Sequence, residues 1–334
     1  CRFCQASQLY RPVRERPVED ILEIMDQVLS DTGWEKAGLL TLSLSDYSRL
    51  DELLQGLEEV ASRHHAALSR PSMRPDTITR MGSDHEVTGR VTIAPEAGTE
   101  ELRNRINKPM KDSAILESVH SIFRMGARGI KLYFIIGFPG ETDEDVKAIG
   151  KLALRIAKIA RESGLNPRKS VTVALSPFVP KAQTPLQWAP QMEESLVWNR
   201  IKQVRRICGR KVGVSWNSPR VALVEALLSL GDGAETADML QEAVEMGARF
   251  DAWGDRFRLD IWKVVLGRHL ELVDGLHQGI PLDAPLPWAS LSTGVSEEFL
   301  KREYSRFQQG IPTPDCRKEE CAGCGACRGA EDGS

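Results

Sequence analysis

The amino-acid sequence predicts an α/β fold, a partial (β/α)6 barrel followed by a mostly helical C-terminal extension. Three observations carry that expectation. Six short apolar runs recur between residues 20 and 220, amphipathic stretches separate them, and several runs end in turns rich in Gly, Pro, Ser or Asp. This is the alternation of repeated βα units around a parallel sheet. At 334 residues the chain is long enough for one large domain and a smaller appendage.

The elements follow in chain order. The first helix covers about 18–31, where Ile21, Leu22, Met25, Val28 and Leu29 recur at helical spacing behind Pro17, a residue suited to a helix start. A strand is predicted at 38–43 (GLLTLS), then a helix through Leu50, Leu53, Leu54, Leu57 and Val60. Further strands are predicted at 66–69, 90–94, 129–137, 170–176 and 211–216, with helices between them, notably 142–163 and 192–208. In barrel folds the carboxyl ends of such strands line the active site. Beyond about 217 the strand signal fades. Residues 222–246 read as helical, a Trp-bearing stretch surrounds Trp253 and Trp262, and a Pro-rich segment from Pro281 to Pro314 leads to the last cysteines. The predicted division is a core at 1–216, a helical extension at 217–280, and a linker with a Cys-rich, metal-binding tail at 281–334.

Hydrophobic residues make up 41% of the chain, charged residues 27%, and the net charge is −3, so nothing in the composition calls for a polyanionic partner. Arg11, Arg14 and Arg16 are interrupted by Glu15 and Glu19 and read as a solvated loop. No apolar run approaches the length of a membrane span and the first residues do not resemble a signal peptide, so the expected location is cytoplasmic, with no membrane partner. In such a reducing compartment, the grouping of Cys1 and Cys4 at one end and Cys316, Cys321, Cys324 and Cys327 at the other is metal-site spacing rather than a disulfide framework. Cys208, alone between them, reads as a small buried apolar residue.

Three segments carry chemistry. The opening CRFC places Cys1 and Cys4 in a CxxC, which by itself fits a redox dithiol, a zinc knuckle or part of an iron–sulfur site. The segment TIAPEAGTEELRNRINKP, Thr92 to Pro109, leaves a strand and enters a helix. Thr99 fits a plain helix N-cap there, with Glu101 and Arg103 as surface charges. In GIKLYFIIGFPGETDEDV, residues 129–146, a buried strand ends at Gly137, a Pro139-Gly140 turn follows, and Thr142 caps an acidic helix start. Gly140 is expected to take a positive φ, and the glycine spacing does not fit the dinucleotide fingerprint.

Together these segments resemble the radical S-adenosylmethionine (SAM) superfamily over residues 1 to about 190, and the fold is accordingly expected to be the partial barrel of that family. With Phe3 ahead of the second cysteine, CRFC resembles the end of the CxxxCxΦC loop, whose three thiolates hold a [4Fe-4S] cluster with one iron left open for SAM. By that spacing the remaining cysteine is expected four residues before Cys1, outside these residues together with the first strand. The resemblance implies Cys1 and Cys4 as catalytic cluster ligands and Phe3 as a cofactor contact. It places Glu96, Gly98 and Thr99 at the ribose and methionine portions of SAM, Lys108 at the methionine carboxylate, and the Gly137 to Pro139 turn at the adenine. The strand-two Gly-Gly-Glu of many relatives is replaced by SLSDY, so Ser43, Ser45 or Asp46 would accept from the SAM amino group. VALSPFVPKAQTPLQW, ending at Trp188, resembles the proline-rich exit of methylthiotransferase-like and cobalamin-dependent members, with Ser176, Lys181 and Gln183 toward the substrate. The whole chain resembles the radical domain of a bacterial family usually preceded by a cobalamin-binding domain. The implied activity is reductive cleavage of SAM to a 5′-deoxyadenosyl radical, used in cobalamin-linked methyl transfer, methylthio transfer or another C–H functionalisation. The implied partners are SAM, an electron donor such as flavodoxin or ferredoxin, and an unidentified substrate.

The terminal run Cys316-x4-Cys321-x2-Cys324-x2-Cys327 suits a closed zinc site or a second iron–sulfur cluster, and the lack of a nearby histidine with tight spacing favours iron–sulfur. His64, His65, His85, His120, His269 and His277 show no paired-ligand spacing, and no nucleophile elbow or carboxylate pair marks a hydrolase. The rival class is a non-catalytic iron–sulfur or zinc protein whose barrel binds RNA or a partner.

Overall fold

The computed structural model describes residues 1–69, 77, 89–317 and 319–327; His85 lies outside them. Six parallel strands follow one another among the described residues. β1 (Lys36–Gly38) pairs with β2 (Ala67–Ser69), and β3 (Arg90–Glu96), β4 (Gly129–Ile136), β5 (Val171–Pro177) and β6 (Gly213–Trp216) form a four-stranded sheet in sequential order. The strands form two sheets rather than one continuous wall.

Helices connect the strands: α1 (Val18–Thr32), α2 (Leu50–Arg63), α3 (Glu100–Arg105), α4 (Asp112–Arg124), α5 (Asp143–Glu162) and α6 (Glu194–Cys208). The period-2 pattern of β4 shows why the sheet sits as it does. Ile130, Leu132, Phe134 and Ile136 are buried, while Lys131, Tyr133 and Ile135 alternate onto the more open face. The buried set packs with Ile149 and Ile156 of α5 and with Val197, Ile201 and Val204 of α6 in the main core. Cys208 is fully buried in that core, and burial pushes its thiol up to about 11, so it is an apolar filler rather than a ligand.

Past the sheet come α7 (Pro219–Leu230), α8 (Gly233–Glu245), α9 (Leu259–Arg268) and α10 (Leu270–Gln278), whose own core holds Leu227, Met239, Trp262 and Val265. The last helix, α11 (Glu297–Gln309), packs Phe307 into a cluster with Phe138 and Phe178, beside the strand ends. No described helix is long and apolar enough to cross a membrane.

One predicted strand is displaced. GLLTLS at 38–43 is extended only to Gly38, followed by a single 3-10 turn at Leu44–Asp46, with Leu40 and Leu42 exposed. A ladder needs a partner, and β1 finds one in β2 for three residues only. The other strands and the helices at 18–31, 142–163 and 192–208 lie within two residues of their expected bounds.

Candidate active site at the strand ends

Glu96 is the last residue of β3, at the point where pairing with β4 shifts register, and its φ is +68°. A glutamate held in the left-handed region carries strain of about 1–3 kcal/mol, which points to function at that residue. Lys108 Nζ donates to Glu96 Oε1 at 2.9 Å, and both side chains are mostly buried. Next in the chain, Gly98 leaves no room for a side chain: a Cβ there would lie 1.9 Å from the Asp145 carbonyl oxygen and 2.9 Å from Ile149 N. Thr99 caps α3 by accepting from Leu102 N at 3.2 Å, and its hydroxyl donates to Asp145. Asp145 also closes the capping box of α5, accepting from Thr142 N at 2.8 Å. The exit of β3 is thus riveted to the N-terminus of α5. Arg103, expected on the surface, is fully buried instead, pairing with Asp112 and donating to Ala97 O at 3.4 Å. The polar atoms of this exit supply its partners, which periodicity alone does not show.

At the end of β4 the chain turns through Gly137 at φ +94° and, as expected, Gly140 at φ +71°. Glu141 holds this turn from below. Its buried carboxylate accepts from Gly137 N at 2.8 Å and from Arg200, whose Nη2 also donates to Glu141 O at 3.0 Å. Burial pushes the Glu141 carboxyl up to about 7, against the opposing pull of Arg200 and the Gly137 amide. Between the ordinary value of 4.5 and about 7 the folded protein therefore keeps a proton that the unfolded chain has released. The stability this proton contributes is complete below the lower value and lost as pH rises through the upper one. The urea midpoint is thus expected to fall between about pH 5 and about pH 8, and Glu141→Gln, neutral throughout, to remove roughly 3 kcal/mol of that dependence. Urea titrations of both proteins across the range check it.

The CRFC loop lies over these strand ends. The Phe3 ring centroid is 5.6 Å from that of Phe138, and Phe138 is 5.2 Å from Phe178 after β5, so one aromatic row joins the loop to two strand exits. Arg2 N donates to Ile106 O at 2.9 Å, and Gln5 Nε2 to Ala182 O at 3.0 Å. Ser7 Oγ lies 2.7 Å from the carbonyl oxygens of both Cys1 and Cys4, which curls the loop on itself. Both thiols are free, Cys1 exposed and Cys4 partly so. A thiolate pair on a tied-down, solvent-reachable loop is a donor set that suits iron.

Phe3, Glu96, Gly98, Thr99, Lys108, Gly137 and Pro139 therefore belong to connected segments, with Pro139 O accepting from Arg105 Nη2 at 3.4 Å. Ser45 lies in the 3-10 turn and Ser43 precedes it, its Oγ donating to Asp46 Oδ2 at 2.6 Å. The Asp46 carboxylate is 4.0 Å from Arg317, the residue after Cys316. Ser176 accepts from Asn217 Nδ2 at 3.0 Å, Lys181 pairs with Glu225, and Gln183 Nε2 donates to Leu291 O at 2.8 Å. In the tail, Cys316, Cys321 and Cys327 are exposed and Cys324 is buried, and no three His, Cys, Asp or Glu side chains are drawn into a metal-ligand group among the described residues.

Residues that motif spacing did not single out bond to these segments or to one another: Arg2, Asn107, Glu141, Arg200, Glu303 and Thr313. The signal for Glu303 was present, since it falls on the apolar stripe of Phe299, Leu300 and Phe307, where a lone carboxylate needs a buried partner.

A parallel α/β domain that gathers a two-cysteine loop, a carboxylate–lysine pair and a glycine turn at its strand ends is of the class that binds a small ligand there. Residues 1–153, a little under half of the chain, match the model of the Radical SAM superfamily. The family implies a [4Fe-4S] cluster and SAM. Among similar proteins, an uncharacterized protein of Methanocaldococcus jannaschii is 30% identical over 184 residues, 55% of this chain and 39% of its own length. The tRNA-2-methylthio-N(6)-dimethylallyladenosine synthase of Lachnoclostridium phytofermentans is 28% identical over 157 residues, 43% of this chain and 34% of its own. The ribosomal protein uS12 methylthiotransferase RimO of Moorella thermoacetica is 26% identical over 161 residues, 45% and 37% respectively. The chain spans less than half the length of these relatives.

Proposed function

We propose that these residues form the catalytic core of a radical SAM enzyme that cleaves SAM reductively, with Cys1 and Cys4 among the ligands of its cluster. The observation that supports this most is the contact of Phe3 with Phe138, which seats the two-cysteine loop on the glycine turn beside the strained Glu96. When bound, the cluster supplies the electron for the cleavage. The protein's own part is to orient and to exclude water. Lys108, already charge-paired with Glu96, meets the methionine carboxylate; Glu96 accepts from ribose hydroxyls; and the Gly137 to Pro139 backbone, held open by Glu141, leaves room for adenine. Gly98 and Thr99 keep the Glu96 bulge fixed to α5. Ser43 and Ser45 are the proposed contacts of the SAM amino group. Cys316, Cys321, Cys324 and Cys327 are proposed to hold a second metal site, an iron–sulfur cluster in preference to zinc. The named relatives support methylthio transfer as the outcome, and the Pro-rich exit after β5, which resembles that of methylthiotransferase-like and of cobalamin-dependent members alike, leaves cobalamin-linked methyl transfer as the second reading. The donor of the electron would be a flavodoxin or ferredoxin, and the residues at 217–280 and 281–334 would act as extension and metal-binding tail.

Anaerobic reconstitution with iron and sulfide, then SAM and dithionite, is expected to yield 5′-deoxyadenosine; none above a cluster-free control would refute the proposal. The product with added methylcobalamin or sulfide separates the two outcomes. Lys108→Ala is expected to weaken SAM binding by about 1–3 kcal/mol while iron content stays at the wild-type level, because it removes a charge-assisted contact without touching a thiolate. Unchanged affinity by calorimetry would remove Lys108 from the site.

A further inference from the structure

Arg2 stands between Cys1 and Cys4, is 2% exposed, and directs every guanidinium nitrogen at an oxygen from a distant segment. Nε donates to Glu303 Oε2 at 3.1 Å, Nη1 to Arg105 O at 2.7 Å, and Nη2 to Ile311 O at 2.7 Å and Thr313 Oγ1 at 3.0 Å. Glu303, 3% exposed, is shared: the Thr313 hydroxyl reaches its oxygens at 2.6 and 2.7 Å, and Arg306 Nη1 lies 3.5 Å away. Thr313 is in turn gripped on its backbone by Asn107, whose Nδ2 donates to Thr313 O at 3.1 Å and whose Oδ1 accepts from Thr313 N at 3.0 Å. Asn107 adopts φ +54° to do so and immediately precedes Lys108.

An ion pair this deep stabilises a fold little more than apolar side chains of the same volume would. What it adds is direction, because a planar guanidinium fixes the plane of its partners. Resting on the cluster assignment above, we infer that Glu303 is a positioning residue for the radical site. By holding Arg2 it fixes the Cys1 to Cys4 loop, and it makes α11 and the strap Ile311–Thr313 part of the site. The same node reaches Asn107 and so couples the loop to the Glu96–Lys108 pair.

The test uses full-length protein reconstituted with iron and sulfide and reduced with dithionite. It follows the electron paramagnetic resonance signal that shifts on adding SAM, which only a cluster with an open iron gives. Arg2→Met with Glu303→Met removes both charges together and keeps apolar volume, so no buried charge is left unpaired; the Arg105 and Ile311 carbonyls lose a donor, and the thermal midpoint is expected to fall only modestly. Loss of the SAM-shifted signal to a chelator is expected to be about 10–100-fold faster, the usual scale for losing an outer partner of metal ligands. Glu303→Asp, which keeps the carboxylate, should restore part of the lifetime and Glu303→Gln should not. Wild-type chelator resistance in the double variant would overturn the inference. So would a midpoint that falls in step with the lifetime, since that is the mark of a purely structural role. If the wild-type protein itself gives no signal that Cys4→Ser removes, the cluster assignment fails and this inference with it.

Discussion

Gly98→Ala is expected to lower the stability of the core by about 3 kcal/mol or more, near the upper end for overpacking. The added Cβ would sit 1.9 Å from the Asp145 carbonyl oxygen, and its two nearest neighbours are main chain, which cannot rotate away as a side chain tip would. Asp145 is itself immobilised three times over, by its place in α5, by the capping box with Thr142 and by the Thr99 hydroxyl. Relief would require β3 and α5 to part, and that breaks the cap, worth about 1 kcal/mol, and opens the packing between Ala97 and the helix. Gly267→Ala is the control. Gly267 lies within α9 with nothing within 4 Å of its would-be Cβ, so alanine there should stabilise by about 0.4–1 kcal/mol. Urea denaturation of the two variants beside the wild type decides, and a Gly98→Ala midpoint equal to that of Gly267→Ala would show that the strand exit is not riveted as described.

The contrast between those two glycines shows what could be read from the chain. Periodicity reports burial, and so the strands at 129–137 and 170–176 and the helices at 142–163 and 192–208 were legible to within two residues. It does not report whether a partner strand exists, which is why GLLTLS at 38–43 reads as strand while Leu40 and Leu42 are exposed. Nor does residue type report which charges find buried partners. Arg103 reads as a surface charge and is fully buried, because Ala97 O and Asp112 happen to converge on it. In the site, Cys1, Cys4, Glu96 and Lys108 carry their chemistry in their residue types and could be picked out locally. Arg2 and Glu303 are 301 positions apart, and only the fold brings them within 3.1 Å.

Cys4→Ser in the full-length protein is expected to abolish the SAM-responsive cluster and to drop 5′-deoxyadenosine to background, the largest functional loss of any single change considered. A serine hydroxyl is a far poorer iron ligand than a thiolate, and the proposed ligand set has no spare donor. The loop should survive the exchange, since its ties run through Arg2, Phe3, Gln5 and Ser7 rather than through the sulfur. Cys324→Ser is expected to leave that signal in place and to remove most of the metal bound by the tail. Cys208→Ala, in the apolar core, should change neither metal signal. Iron and zinc analysis with electron paramagnetic resonance on these three variants and the wild type separates the sites. A Cys324→Ser protein that has lost the SAM-shifted signal, or a Cys4→Ser protein that keeps it, would break the division into a catalytic loop and an auxiliary tail.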